Sequence, residues 1–198
     1  MKSKRTILRL FSSGLLAGIL VLTGACGKKK ATPEWESFAR HVVETYLNQT
    51  VSLPDSLPVQ HPEIIDSIYR SPLKIVVVVD LDCSTCLLKF NYWNDFTERL
   101  YDRKGIRIPL LFYINTGCTD RLAERMAAFT THAWAYDGDQ LFNALNGLYD
   151  PQFQALLLDA EQRIILIGSP MDNPKLEALY EKTIAGRRRA AQGGLRGK

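Results

Sequence analysis

The run Lys74-Ile75-Val76-Val77-Val78-Val79-Asp80 leaves the backbone few choices. β-Branched side chains are stiff at χ1 and pack well on a pleated surface. An unbroken apolar run is the pattern of a strand buried on both faces, as in parallel or mixed sheets. Such a strand needs cover above and below. Cys83-Ser84-Thr85-Cys86 comes next, followed by Leu87, Phe90, Trp93, Phe96 and Leu100 at spacings of three and four. Residues 85–101 therefore read as an amphipathic helix packed on the sheet.

The rest of the chain extends this alternation. Trp35, Phe38, Val42, Val43, Tyr46 and Leu47 give a helical spacing over 34–47. Three prolines (Pro54, Pro58, Pro62) make 51–62 an extended connection, and 63–70 reads as a short helix stopped near Pro72. After Gly105, residues 106–114 form the next strand, 120–129 a helix, 133–136 a short strand and 139–148 a short helix. Strands over 153–158 and 163–168 are separated by only four residues, which makes them an antiparallel hairpin. A last helix over 174–184 turns Leu176, Leu179, Tyr180 and Ile184 inward. The sum is an α/β domain with a mixed β-sheet flanked by helices, carrying an extra N-terminal helix. From Gly186 on, Gly, Arg and Gln dominate and a basic disordered tail over 186–198 is expected.

The N-terminus addresses the chain. Lys2, Lys4, Arg5 and Arg9 precede a short apolar stretch over 10–22, the layout of a secretory signal, too short for a comfortable membrane span. Leu22-Thr23-Gly24-Ala25-Cys26 resembles the lipobox of bacterial lipoproteins, although that pattern often has Leu where Thr23 stands. The resemblance implies removal of residues 1–25 and a lipid on Cys26, a tether over 26–33 and a domain over 34–185. Four of the 25 basic residues lie in the leader, which leaves 21 basic against 21 acidic. Lys28, Lys29, Lys30 and five basic residues after 186 flank a segment with 13 basic and 21 acidic residues, a net −8. Nucleic-acid binding calls for a basic face on the folded domain, so that class is excluded.

Two cysteines two residues apart, between a buried strand and a helix, form a candidate dithiol redox site. At a helix start, unpaired N–H groups and the positive end of the dipole favour a thiolate on Cys83. Cys86, one turn on, is placed to resolve a mixed disulfide. Tetrahedral zinc needs four ligands, and Cys118, His41, His61 and His132 supply no second pair at ligand spacing. No metal or other cofactor is called for. Asp80 and Asp82 stand beside the motif, and like charge opposes a thiolate; the expectation is a reducing couple whose first thiol titrates not far below 8. Cys118 reads as a semi-buried cysteine, His132 and Trp134 as packing residues, and no hydrolase constellation is present.

The strand–CxxC–helix unit over 75–100, with Ala155-Leu156-Leu157-Leu158-Asp159 and Arg163-Ile164-Ile165-Leu166-Ile167-Gly168, resembles the TlpA-like branch of the thioredoxin family and redoxin-type envelope lipoproteins of Gram-negative bacteria. The similarity covers about 73–185. It implies a thioredoxin fold and thiol–disulfide exchange, usually as a reductant, facing the periplasm from a lipid anchor. Clients would be disulfide-containing envelope proteins, with electrons from a membrane donor. Departures are Asp82 where Trp commonly precedes the first Cys and Val77 where an acid is often buried. The cis-proline usual before the hairpin, packed against the dithiol, is either shifted by two residues to Pro151 or absent: family spacing reaches Phe153, with Pro151 nearby, so both stand with Ser84 and Thr85 as neighbours of the site. Thioredoxin-fold copper chaperones usually space their cysteines by three residues, against two here. The alternative reading is a non-catalytic scaffold lipoprotein in which Cys83–Cys86 is a structural disulfide.

Overall fold

The computed structural model describes residues 33–54, 56–59 and 62–195. The leader, the lipid-anchor residue Cys26 and the tether up to residue 32 lie outside the described residues. From His41 on, the chain forms one compact unit.

The β-branched run forms strand β1 (Leu73–Asp80), whose six inner residues are buried. It lies at the centre of a five-stranded sheet. Strand β2 (Leu110–Asn115) pairs with it in parallel, with Ile75 opposite Leu110 and Asp80 opposite Asn115. Strand β3 (Ala133–Tyr136) continues in parallel beyond β2. On the other side β4 (Ala155–Asp159) runs antiparallel to β1, and β5 (Ile164–Ile167) closes the sheet as the second arm of the expected hairpin. The spatial order is β3-β2-β1-β4-β5. The extended connection after residue 47 bridges both edges, at Thr50–Arg163 and Val59–Ala135.

Helix α1 (Pro33–Tyr46) and helix α2 (Pro62–Tyr69) precede the sheet. Helix α3 (Leu87–Lys104) buries Phe90, Trp93, Phe96 and Leu100, the stripe expected from their spacing. They pack with Ile75, Val77 and Val79 of β1, with Met126 of α4 (Leu122–Phe129), and with Tyr180 and Ile184 of α6 (Pro174–Leu195). The opposite face is covered by α2 and α5 (Leu141–Asn146): Tyr113 of β2 stacks on Phe142 at 4.6 Å and meets the Tyr69 hydroxyl at 2.9 Å. Gly105 ends α3 at φ 62°, its N–H bonded to the Tyr101 carbonyl, a left-handed cap that suits glycine.

Four boundaries differ from the sequence reading, each for a local reason. The CxxC segment is not the first α-helical turn: Ser84–Cys86 form a 3₁₀ turn, closed by the Cys86 N–H on the Cys83 carbonyl, and α3 begins only at Leu87. Strand β2 starts at Leu110, because Pro109 has no N–H to give and contributes only its carbonyl, which accepts the Ile75 N–H. Strand β4 starts at Ala155, because Asp150 caps a 3₁₀ turn over Pro151–Phe153. Helix α6 runs to Leu195, so the tail expected to be disordered is helical through that residue; its Arg and Ala residues are strong helix formers that propagate an existing helix. Within α6, Leu176, Tyr180 and Ile184 recur every four residues, and Leu179 falls outside that stripe and is exposed.

Candidate dithiol site

The site sits where β1 and β2 end side by side. Cys83 is extended (φ −96°, ψ 113°) and half-buried, with Ser84 and Thr85 exposed after it. Its sulfur lies 3.2 Å from the Thr85 hydroxyl. The Cys86 thiol, the Thr85 hydroxyl and the Cys86 backbone N–H all favour the charged form, and together bring the Cys83 thiol down to about 7. Cys86 goes the other way. Burial and its bond to Cys83 push it up to about 11, with Lys89 opposing and Asp80 adding to the rise. The first proton to leave the pair therefore comes from Cys83, and both thiols are free.

The two acids do not act as expected. Asp82 turns away from the sulfur: its carboxylate accepts from the Thr116 hydroxyl at 2.6 Å and the Gly117 N–H at 2.8 Å. Those two bonds hold it below its usual range, with help from Arg125. Asp80 accepts the Asp82 N–H at 2.9 Å and shapes the turn. Neither carboxylate counts among the causes that bring the Cys83 thiol to about 7; the like charge of Asp80 acts on Cys86 instead. Asp82 is a strap from the end of β1 to the loop after β2.

The sequence reading missed four residues. Lys89 follows Cys86 by three positions, on the same helix flank, and donates to the Gln154 side chain at 2.7 Å; helical spacing alone would have placed it. Thr116 and Gly117 become visible only once β1 and β2 are paired, because Asp82 and Gly117 each stand two residues beyond the Asp80–Asn115 pair. Gln154 directly precedes β4, and its carbonyl accepts the Val78 N–H at 2.8 Å. Pro151 opens the capped 3₁₀ turn, and Phe153 is buried 4.8 Å from the Tyr46 ring. Cys118, expected to be semi-buried, is exposed on the loop after β2. His132 is a packing residue as expected, bonded to Thr97 at 3.0 Å and held neutral by burial.

With this geometry in hand, solved structures bear on the fold. Yeast Sco1 aligns over 67% of this chain and 93% of its own, with a TM-score of 0.51 and 14% identity. A protein disulfide isomerase candidate from Bacteroides thetaiotaomicron aligns over 71% and 91%, with a TM-score of 0.51 and 11% identity. The fold is that of thioredoxin. A DsbE-type thiol:disulfide interchange candidate from Chlorobium tepidum, at 15% identity, 69% and 99% coverage and a TM-score of 0.49, adds nothing to that assignment. No protein-family model matches the sequence, and no curated protein does.

In the thioredoxin fold the residue directly before the hairpin is the one expected to carry the cis-proline. Here Gln154 directly precedes β4, Pro151 and Phe153 lie in the 3₁₀ turn before it, and every described peptide bond is trans. The Gln154 side-chain oxygen accepts from Lys89.

Proposed function

We propose that this chain is a thiol–disulfide oxidoreductase that reduces disulfides in envelope proteins, held by a lipid on Cys26 and facing the periplasm. The observation that carries the proposal is the asymmetric pair: a half-buried Cys83 thiol brought to about 7 beside a Cys86 thiol raised to about 11. At neutral pH about half of such a first thiol is ionised while the second keeps its proton. The Cys83 thiolate attacks a client disulfide, forming a mixed disulfide and expelling one client sulfur, which takes up a proton. Cys86 then loses its proton and attacks the Cys83 sulfur. The second client thiol is released and a Cys83–Cys86 disulfide remains. Two electrons and two protons have passed to the client, and a membrane donor of reducing equivalents must return them.

The direction of transfer rests on the first thiol. Values near 7 go with reducing thioredoxins, whereas strong oxidants of this fold lie near 3.5. The reductant reading therefore keeps its conclusion and changes its reason, from repelling carboxylates to a thiolate held by a thiol, a hydroxyl and the backbone N–H groups of Thr85 and Cys86, which bring it only to about 7. Trapping tests it. Cys86→Ala should accumulate covalent adducts between Cys83 and envelope proteins, and the parent chain should reduce insulin. No adduct together with no reductase activity would return the chain to the scaffold alternative.

A further inference from the structure

The sheet end opposite the dithiol carries a groove of about 590 Å³. Pro72, Leu73 and Pro109 supply its accessible apolar wall, over the buried Ile108 and Ile184, and Arg107, Arg187 and Arg188 stand at its margin. A second hollow of about 390 Å³ adjoins it, sharing Arg188 and adding Lys104 and Arg189. Lys104 is neutralised by Glu181 at 2.9 Å. The arginines are not. Arg107 stacks on the Tyr101 ring at 4.3 Å, Arg188 reaches the Arg107 carbonyl, and Arg189 reaches the Ala185 carbonyl. Among the described residues, none of Arg107, Arg187, Arg188 and Arg189 takes part in an ion pair.

Residues 31–186 carry a net −8, and Arg187, Arg188 and Arg189 follow directly after them to join Arg107 at this face, a local basic patch beside an acidic domain. A bare anion would use the guanidinium groups and leave the apolar wall unexplained. An anionic amphiphile uses both, with its headgroup among the arginines and its chain along Pro72, Leu73 and Pro109. We infer that this pole docks on an anionic phospholipid surface, with the arginine-rich end of α6 lying against the headgroups. Guanidinium heads on long apolar stems suit such a boundary.

The docking has a consequence for the redox site. The groove includes Leu73, at the start of β1, and Cys83 follows the end of that strand at Asp80. Eight strand residues at about 3.3 Å each separate the two by ~25 Å. A protein seated on this pole presents its dithiol away from the bilayer, toward soluble clients. The docking itself needs no lipid on Cys26; only this consequence rests on the exchange reading.

Hydrogen exchange of the full chain on vesicles tests it, comparing phosphatidylcholine alone with phosphatidylcholine containing phosphatidylglycerol. The expected result is slower exchange over 104–109 and 184–190 on the anionic vesicles only, reversed by high salt. Each basic residue at such a surface strengthens binding about fivefold. Arg187→Gln/Arg188→Gln should therefore weaken the anionic-lipid increment about 30-fold. Equal exchange on both vesicles, or an increment unchanged in the double variant, overturns the proposal. So does protection that grows with protein concentration in the absence of lipid, which would assign the face to a second copy. Flotation with neutral vesicles reports on the N-terminal anchor separately, so loss of one reading does not mimic loss of the other.

Discussion

Strand β1 carries Lys74 near its start and leads into Cys83 beyond its end, and the chain treats the two side chains in opposite ways. Lys74 is fully buried. Its ammonium donates to the carbonyls of Tyr69, Ser71 and Asp159 at 2.9 to 3.0 Å, joining the end of α2, the loop before β1 and the end of β4. Burial pushes its pKa down, and Asp159 and Glu161 pull it part of the way back. Cys83 is half-buried and has a thiol and a hydroxyl for side-chain partners. A charge whose donors are all used locks neighbouring segments together; a sulfur with few partners remains available to react. One strand thus supports a rigid pole and a reactive pole, which predicts that stability and reactivity can be damaged separately.

The largest expected effect lies at the reactive pole. Cys83→Ser should abolish insulin reduction while shifting the urea-unfolding free energy by less than ~0.5 kcal/mol, since the side chain is partly exposed and outside the core. At the other pole, Lys74→Met should cost about 2 kcal/mol of stability, because buried carbonyls lose their donor. It should leave the pH midpoint of Cys83 alkylation where it was. A stable Lys74→Met chain, or one with a displaced midpoint, would break the separation of the two poles.

Legibility in the sequence follows the same division. The apolar run of β1, the α3 stripe and the hairpin were readable because a strand buried on both faces and a period of three to four residues are local patterns. The cysteine pair was readable for the same reason. What Asp82 does was not, because its partners Thr116 and Gly117 lie on another strand's loop and come within reach only through the β1–β2 register. Two carboxylates near a sulfur in sequence said nothing of where they point. The arginine-rich tail was misread for another reason: composition reports that a segment lacks a core of its own, not whether a preceding helix will carry it along. Asp82→Asn sharpens the first lesson. It should lower the urea-unfolding midpoint slightly through the weakened strap, with the Cys83 midpoint unmoved; a midpoint that fell would restore the like-charge reading.

The smallest effect is expected at Thr85, and it tests the reactive pole most directly. A hydrogen bond given to a thiolate favours the charged form and lowers the pKa, so its removal must raise it. Thr85→Val keeps the shape of the side chain and deletes the hydroxyl that lies 3.2 Å from the Cys83 sulfur. The Cys86 thiol and backbone N–H remain and rank with Thr85 among the causes of the shift, so the midpoint should rise by a fraction of a unit, not return to the free value. A rise of about half a unit from about 7 would cut the thiolate fraction at pH 7 from about one half to about one quarter. The alkylation rate should halve there and converge with the parent well above pH 8. Because Lys74 and its carbonyls lie at the far end of β1, unfolding should not change. A rate deficit that persists at high pH would mean Thr85 positions the sulfur rather than tuning its charge.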